Sequence, residues 1–450
     1  MIEYHLNYVF FEVQFMRVAG IIAEYNPFHL GHKKQIAYAR ETLGADYIIA
    51  AMSGAYVQRG APALFPKHLR TKMALLGGAD LVLELPVSIS SASAEFFAAG
   101  GADLLDGIGV TDLLCFGSES GKINFFQTAA HVLSKEPEEY KRLLKSLLKE
   151  GNSFPSARSQ ALLSYLLETS PEDVPRDAAQ FLASPNNILG IEYCKAIEKL
   201  NSSIRPVTLL REGAAYHDTS LTRNAAPSAS GIRAFVKDYL KGAAEGKTGA
   251  SDSMFSFRGT DADELTGYLK NFLPEEILPL FIQSLSHNAF LTEDDLDLLL
   301  HYKLLSTAPE DMAGYLDLSK DLAERIANHL NEYSGFSQFV QILKTKELTY
   351  TRIQRALLHL LLGIRRPPSR QPYARVLGFR KDSAPLLKEI KKRSRLPLLT
   401  KLSNASKILD PDGMALLKEN TYASNVYESL LCKKEGRPFL HEYARPLTIL

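Results

Sequence analysis

Apolar and polar positions follow two different rhythms along this chain. In its first half short apolar runs recur, over Val18 to Ala23, Asp46 to Met52, Asp80 to Leu85, Asp112 to Phe116 and Pro206 to Leu210. Runs of this length that end at Gly, Pro or Ser predict strands buried on both faces. Between them the period lengthens. Ile36, Ala39 and Leu43 fall on one helical face that stops at Gly44, Lys67 to Leu76 forms a second helix, and a Ser/Ala-rich helix reaches Gly100-Gly101. Strands alternating with helices predict a parallel sheet with right-handed crossovers, which takes ligands beyond the carboxyl ends of its strands.

The second rhythm is helical almost throughout. A helical insertion is expected over about 121–200, with breaks at Pro155 and Pro185. The stretch 242–253, rich in Gly, Ser and Ala, reads as a linker. These signals divide the chain into an α/β domain over 16–241 and a mainly α-helical C-terminal domain over 254–450. The clearest C-terminal helix runs from Leu348 to Gly363, with Ile353, Leu357, Leu360 and Leu361 on one face and Arg352, Arg355 and His359 on the other.

Composition narrows the compartment. The 450 residues are 46% hydrophobic and 23% charged, ordinary values for a soluble globular protein. Three widely spaced cysteines (Cys115, Cys194, Cys432) form no CxxC or Cys/His set, so neither a zinc site nor a disulfide framework is expected and a reducing cytoplasm fits. No apolar run is long enough for a membrane helix. Residues 1–15 are apolar but lack a basic leader, and read as a peripheral or disordered extension.

The net charge of +1 conceals a segregation. Residues 344–407 hold 8 Lys and 9 Arg against Glu347, Asp382 and Glu389, an excess of fourteen positive charges, so the remainder carries minus thirteen. Tyr350, Tyr373 and Phe379 are interleaved with these cations and could stack on unpaired bases. The tract is therefore expected to bind RNA through Arg352, Arg355, Arg365, Arg366, Lys391, Lys392 and Arg393, against the plainer reading of a solvated face.

Candidate chemistry gathers where the first strand meets the first helix, in Glu24-Tyr-Asn-Pro-Phe-His-Leu-Gly-His32. A helix N-terminus after a buried strand offers free N–H groups and the positive end of the helix dipole to phosphate. His29 and His32, three residues apart, can both donate to phosphoryl oxygens, and Gly31 lets a ligand approach the backbone. A further helix start, Ser228-Ala-Ser230-Gly-Ile-Arg233, suits phosphate as well as simple capping. Ser184-Pro-Asn186 opens another helix, where Asn186 is either a cap or a ligand contact.

His29-Leu-Gly-His32 resembles the HxGH signature of the nucleotidyltransferases and class I synthetases. More of the chain resembles one family, the bacterial tRNA(Met) cytidine acetate ligases. The likeness rests on the histidine string and on Met52-Ser-Gly54, Gln58-Arg-Gly60, Arg70-Thr-Lys-Met-Ala74, Asp80-Leu-Val-Leu-Glu-Leu-Pro86 and Phe116-Gly-Ser-Glu119. It continues through Ser184-Pro-Asn-Asn-Ile-Leu-Gly190, Tyr216-His-Asp218, Ser228 to Arg233 and Tyr350-Thr-Arg-Ile-Gln-Arg355. Residues 1–15 lie outside the match, and Ser230-Gly231 departs from the family's string at that loop.

The resemblance implies a Rossmann-like, HUP-type domain and a reaction in two steps. Acetate would attack the α-phosphate of ATP to give acetyl-adenylate, and the acetyl group would pass to N4 of the wobble cytidine of elongator tRNA(Met). Carried over by position, the ATP site comprises Ile22, Ala23, Glu24, Tyr25, Asn26, Pro27, Phe28, His29, Leu30, Gly31, His32, Lys33, Lys34 and Gln35, with Gly117, Asn186 and Arg211. His29 and His32 would act on the phosphates, aided by Lys33 or Lys34, Ser230 and Arg233. Mg²⁺ would enter with ATP rather than on protein ligands. Neither a membrane nor an obligate protein partner is expected. Two other readings remain at this point: an adenylyltransferase acting on a small phosphate-bearing precursor, and an RNA-binding protein with a relic nucleotide site.

Overall fold

The computed structural model describes residues 16–211, 228–244 and 262–450. Its centre is a sheet in which β1 (Val18–Ala23), β2 (Tyr47–Ser53), β5 (Leu81–Leu85), β6 (Leu113–Ser118) and β7 (Arg205–Leu210) run parallel in the order β5-β2-β1-β6-β7. All five match the apolar runs to within two residues, because a strand covered on both faces must be apolar at nearly every position. A short hairpin, β3 (Tyr56–Val57) and β4 (Ala61–Pro62), follows β2. The fold is Rossmann-like α/β.

Each face of the sheet builds its own core. Ile22, Ile49, Ala51, Leu83 and Leu114 face the helices Ala94–Gly107, Ile123–Lys135 and Pro185–Lys199. Ile21, Ile48, Ala50, Val82 and Cys115 face the helices Leu30–Ala37, Lys67–Leu76 and Leu278–Ser286. Between β6 and β7 run the helices Ile123–Lys135, Glu138–Lys149, Phe154–Thr169, Ala178–Ala183 and Pro185–Lys199.

The C-terminal region is mostly helical, but it does not stand apart from the sheet. Strand β8 (Ala374–Phe379) lies antiparallel beside β5, and β9 (Leu398–Leu399) and β10 (Thr448–Ile449) pair with β8. The basic tract hid β8, since Arg375 and Gly378 interrupt its apolar pattern. Val376 nevertheless packs into one core and Leu377 into the other. A third core joins Ala55, Tyr56 and Val87 to the C-terminal helices through Phe336, Ile353, Leu357 and Tyr427.

His359 departs from its expected place on a polar face. It is fully buried, with its ring nitrogens 3.1 Å from the Leu316 carbonyl and 3.1 Å from Ser91. The stretch 242–253 begins inside the helix Ala229–Ala244 and continues outside the described residues, where residues 1–15 and Tyr216-His217-Asp218 also lie.

Candidate active site

The segment after β1 is built by packing before it can do chemistry. Asn26 is buried, its Oδ1 accepting the Leu64 N–H at 2.7 Å, and the Asn26–Pro27 peptide is cis. Phe28 lies in the core against Gly77, where any side chain would collide with its ring. Arg70, fully buried, donates to the carbonyls of Glu24 (2.6 Å), Ser53 (3.0 Å), Phe65 (2.9 Å) and Gly54. One guanidinium thus pins the carboxyl ends of β1 and β2, its donors matched to carbonyls as a buried charge requires.

The two histidines cap the helix Leu30–Ala37. His29 Nδ1 accepts the Gly31 N–H at 3.0 Å and His32 Nδ1 accepts the His29 N–H at 3.2 Å, a capping box made of imidazoles. Because both Nδ1 atoms accept, the ring hydrogens sit on Nε2. The rings stack with centroids 3.8 Å apart. Burial, reinforced by His32 and by Arg211 and Arg233, holds the His29 pKa well below its ordinary value. Burial and Arg211 push His32 down to about 3. Both rings are therefore neutral hydrogen-bond donors at pH 7.

These rings line a cavity of about 380 Å³ at the carboxyl ends of the parallel strands. Ile22, Ala23, Glu24, Tyr25, Asn26, His29, His32 and Gln35 reach it from β1 and its helix, joined by Gly117, Asn186, Arg211, Ser230 and Arg233. Pro27, Phe28, Leu30, Gly31, Lys33 and Lys34 do not line it. Lys33 instead pairs with Glu276 at 2.6 Å, and the Leu30 N–H donates to the Phe272 carbonyl. Gln35 donates to the Cys115 carbonyl at 2.9 Å, tying the helix to β6.

On the far wall Asn186 is not a cap. Glu119 fills that role, accepting the N–H groups of Asn186 (3.3 Å) and Asn187 (3.0 Å) as well as Asn186 Nδ2 (2.7 Å). Asn186 Oδ1 takes a hydrogen bond from Arg211 at 3.4 Å. A side chain at position 117 would press on Arg211, 3.1 Å from its Cγ. Ser228 Oγ caps the helix Ala229–Ala244 by accepting the Gly231 N–H, and Arg233 donates to the Asn26 carbonyl at 2.5 Å. Reasoning from the sequence missed Gln58, Arg59, Phe97, Phe116, Glu119, Leu189 and Tyr193 as lining residues. Of these Phe97 and Tyr193 lie in none of the motifs named above, since loops distant in sequence meet only once the sheet order is known.

The basic tract does not form one face. Arg352, Arg365 and Arg366 are exposed, and Arg365 lies over the Tyr315 ring. Arg355 is tied to Asp317 at 2.8 Å. Arg370 pairs with Asp103 at 2.9 Å and Arg395 with Asp106, so the tract is clamped along the helix Ala94–Gly107. Lys391, Lys392 and Arg393 are exposed where Gly109 meets the Arg393 backbone. That is beyond the far end of the same helix, about 20 Å from the end that carries Phe97. Among the described residues no group of three or more His, Cys, Asp or Glu side chains could hold a metal ion, and no helix is long and apolar enough to cross a membrane.

A family model for the HIGH nucleotidyl transferases matches residues 16–439. The chain is 36% identical over 420 residues to a tRNA(Met) cytidine acetate ligase of Clostridium perfringens, spanning 92% of this chain and 96% of that protein. It is 39% identical over 428 residues to the enzyme of the same name from Clostridium kluyveri, spanning 92% and 98%. The crystal structure of apo Thermotoga maritima TmcAL is similar at TM-score 0.85 and 29% identity, covering 97% of this chain and 100% of that one. A crystal structure of TmcAL bound with alpha-thio ATP is similar at TM-score 0.82 and 28% identity, covering 96% and 100%.

Proposed function

The chain belongs to the HIGH nucleotidyl transferase family and, within it, to the tRNA(Met) cytidine acetate ligases, and on that premise we propose that it activates acetate with ATP and acetylates N4 of the wobble cytidine of elongator tRNA(Met). A carboxylate oxygen of acetate forms a bond to the α-phosphorus while the bond to the β-phosphate oxygen breaks, its electron pair leaving with pyrophosphate. The cytidine N4 then attacks the acetyl carbonyl, N4 loses a proton, and AMP leaves.

The observation that carries this reading is the pair of neutral Nε2–H donors of His29 and His32, in one cavity with Arg211 and Arg233. Acetate is already ionised at neutral pH, so the first step needs positioning and charge stabilisation more than proton transfer. Fixed uncharged donors supply that at the α-phosphate without reorganising. Arg233 and Ser230, at a helix start, suit the leaving pyrophosphate, and Asn186 with Gly117 suits the nucleotide. ATP would arrive as its Mg²⁺ complex. The exposed Arg352, Arg365 and Arg366 are the tract residues best placed for RNA phosphates, and a cytoplasmic site of action fits the unpaired Cys115, Cys194 and Cys432.

Incubation with ATP, labelled acetate and unmodified tRNA tests the proposal. Label on the RNA supports it. AMP transfer to a small phosphate-bearing acceptor, or RNA binding without turnover, would replace it.

A further inference from the structure

One turn of the cavity wall is fixed more firmly than a surface hairpin requires. Gln58, Arg59 and Gly60 form the three-residue connection between β3 and β4, closed by the Gly60 N–H donating to the Val57 carbonyl at 2.9 Å. Glu24 Oε1 accepts the Gln58 N–H at 2.9 Å. Gly60, at φ +78°, lies so close to the helix Tyr350–Leu362 that a side chain there would collide with the Arg355 backbone. Arg70 holds the Ser53 and Gly54 carbonyls at the foot of the hairpin, and the Tyr427 hydroxyl donates to the Ala63 carbonyl at 2.8 Å. Only Gln58 and Arg59 of this hairpin reach the cavity.

The sheet order places the turn relative to everything else in the cavity. Reading β2-β1-β6-β7 across the strand ends gives Arg59, then His29 and His32, then Gly117, then Arg211. With strands about 4.8 Å apart, β2 and β7 are separated by about 14 Å. The β6 and β7 side offers Asn186 and the apolar Phe116, Leu189 and Tyr193, which suit a nucleoside. Arg233 and Ser230 suit the pyrophosphate. The β2 side is left for the third participant, and an in-line displacement needs its nucleophile opposite the leaving group.

We infer that the Arg59 guanidinium, carried on this turn, binds the carboxylate of acetate beside the α-phosphate. The inference rests on the function proposed above and names the acid-binding part of that site. A guanidinium fork matches a carboxylate through two parallel N–H···O bonds and leaves each oxygen a lone pair for attack. It also offsets the repulsion between two anions that must come within bonding distance.

The test is acetate-dependent exchange of pyrophosphate into ATP by the full chain, compared for wild type, Arg59→Ala and Arg59→Lys, with binding of a non-hydrolysable ATP analogue measured in parallel. The expected result is an acetate KM raised by about tenfold to hundredfold in Arg59→Ala. Arg59→Lys should fall between, added guanidinium ion should restore part of the loss, and affinity for the ATP analogue should stay the same. An unchanged acetate KM overturns the inference. So does a parallel loss of ATP affinity, which would give Arg59 to the nucleotide, or a defect seen only in the KM for tRNA, which would give it to RNA. A wild-type protein that neither exchanges pyrophosphate with acetate nor labels tRNA would overturn the function itself, and the two failures are thereby distinct.

Discussion

Two neighbouring stretches of one sheet edge have opposite fates. At the carboxyl ends of β1, β6 and β7 the polar groups face an open cavity, whereas at β5 they are sealed against one another. Glu84 takes Lys67 Nζ at 2.5 Å and Arg375 Nη1 at 2.6 Å, and both cations also reach Glu442. Every one of these side chains is 5% exposed or less. Burial would raise the Glu84 pKa, but Arg375 and Lys67 hold it below the ordinary value. The closed end balances its charges internally. The open end gathers Arg59, Arg211 and Arg233 around the cavity with Glu24 and Glu119, which accept backbone N–H groups of Gln58 and Asn187. What separates the two is the returning chain: β8 brings Arg375 beside β5, and the helix Pro411–Glu435 and Glu442 close over it. Among the described residues no such segment fills the ends of β1, β6 and β7, where the cavity lies.

Removing one partner from the closed end should produce the largest change in stability. Glu84→Ala leaves Lys67 and Arg375 with a single carboxylate, and urea denaturation should show a loss of about 3–5 kcal/mol. A loss below about 1 kcal/mol would mean that water reaches this network after all. The open end should show the converse. His32→Ala should lower acetate-dependent pyrophosphate exchange by about 10²–10³-fold, while stability falls by only about 1 kcal/mol for the lost cap. Near-normal exchange would remove the imidazoles from the chemistry.

The basic tract divides along the same line, so its variants should separate too. Arg352→Glu with Arg366→Glu should weaken tRNA binding and flatten its log–log salt dependence by roughly one unit per lost phosphate contact, with stability unchanged. Arg355→Glu should instead destabilise the fold, because Asp317 sits 2.8 Å from its guanidinium. Equal effects on RNA binding and none on stability would erase the distinction. The smallest expected effect is a flat line. Protonation of His29 and His32 is disfavoured in the folded protein, so the stability these rings contribute is complete above about pH 6.5 and declines as pH falls towards 3. Pyrophosphate exchange at saturating acetate should accordingly show no inflection near pH 6.5. One that His32→Ala abolishes would show that the imidazolium takes part.

The sequence alone determined whatever depends on neighbours along the chain. The five parallel strands, the helix Lys67–Leu76 and the turn that carries both histidines are legible because burial on two faces, helical period and the Asn-Pro break are local signals. Tertiary structure decided the rest. The pattern of β8 makes sense only with β5 beside it, and His359 is polar by type yet buried because Leu316 and Ser91 supply its partners. Lys33 looks like a phosphate ligand until Glu276 takes it, and Arg59 looks like a loop cation until the fold brings its turn to the cavity that Arg211 also lines. Periodicity fixes which residues turn inward, but which charges meet is set by segments hundreds of residues apart, and no local pattern encodes that.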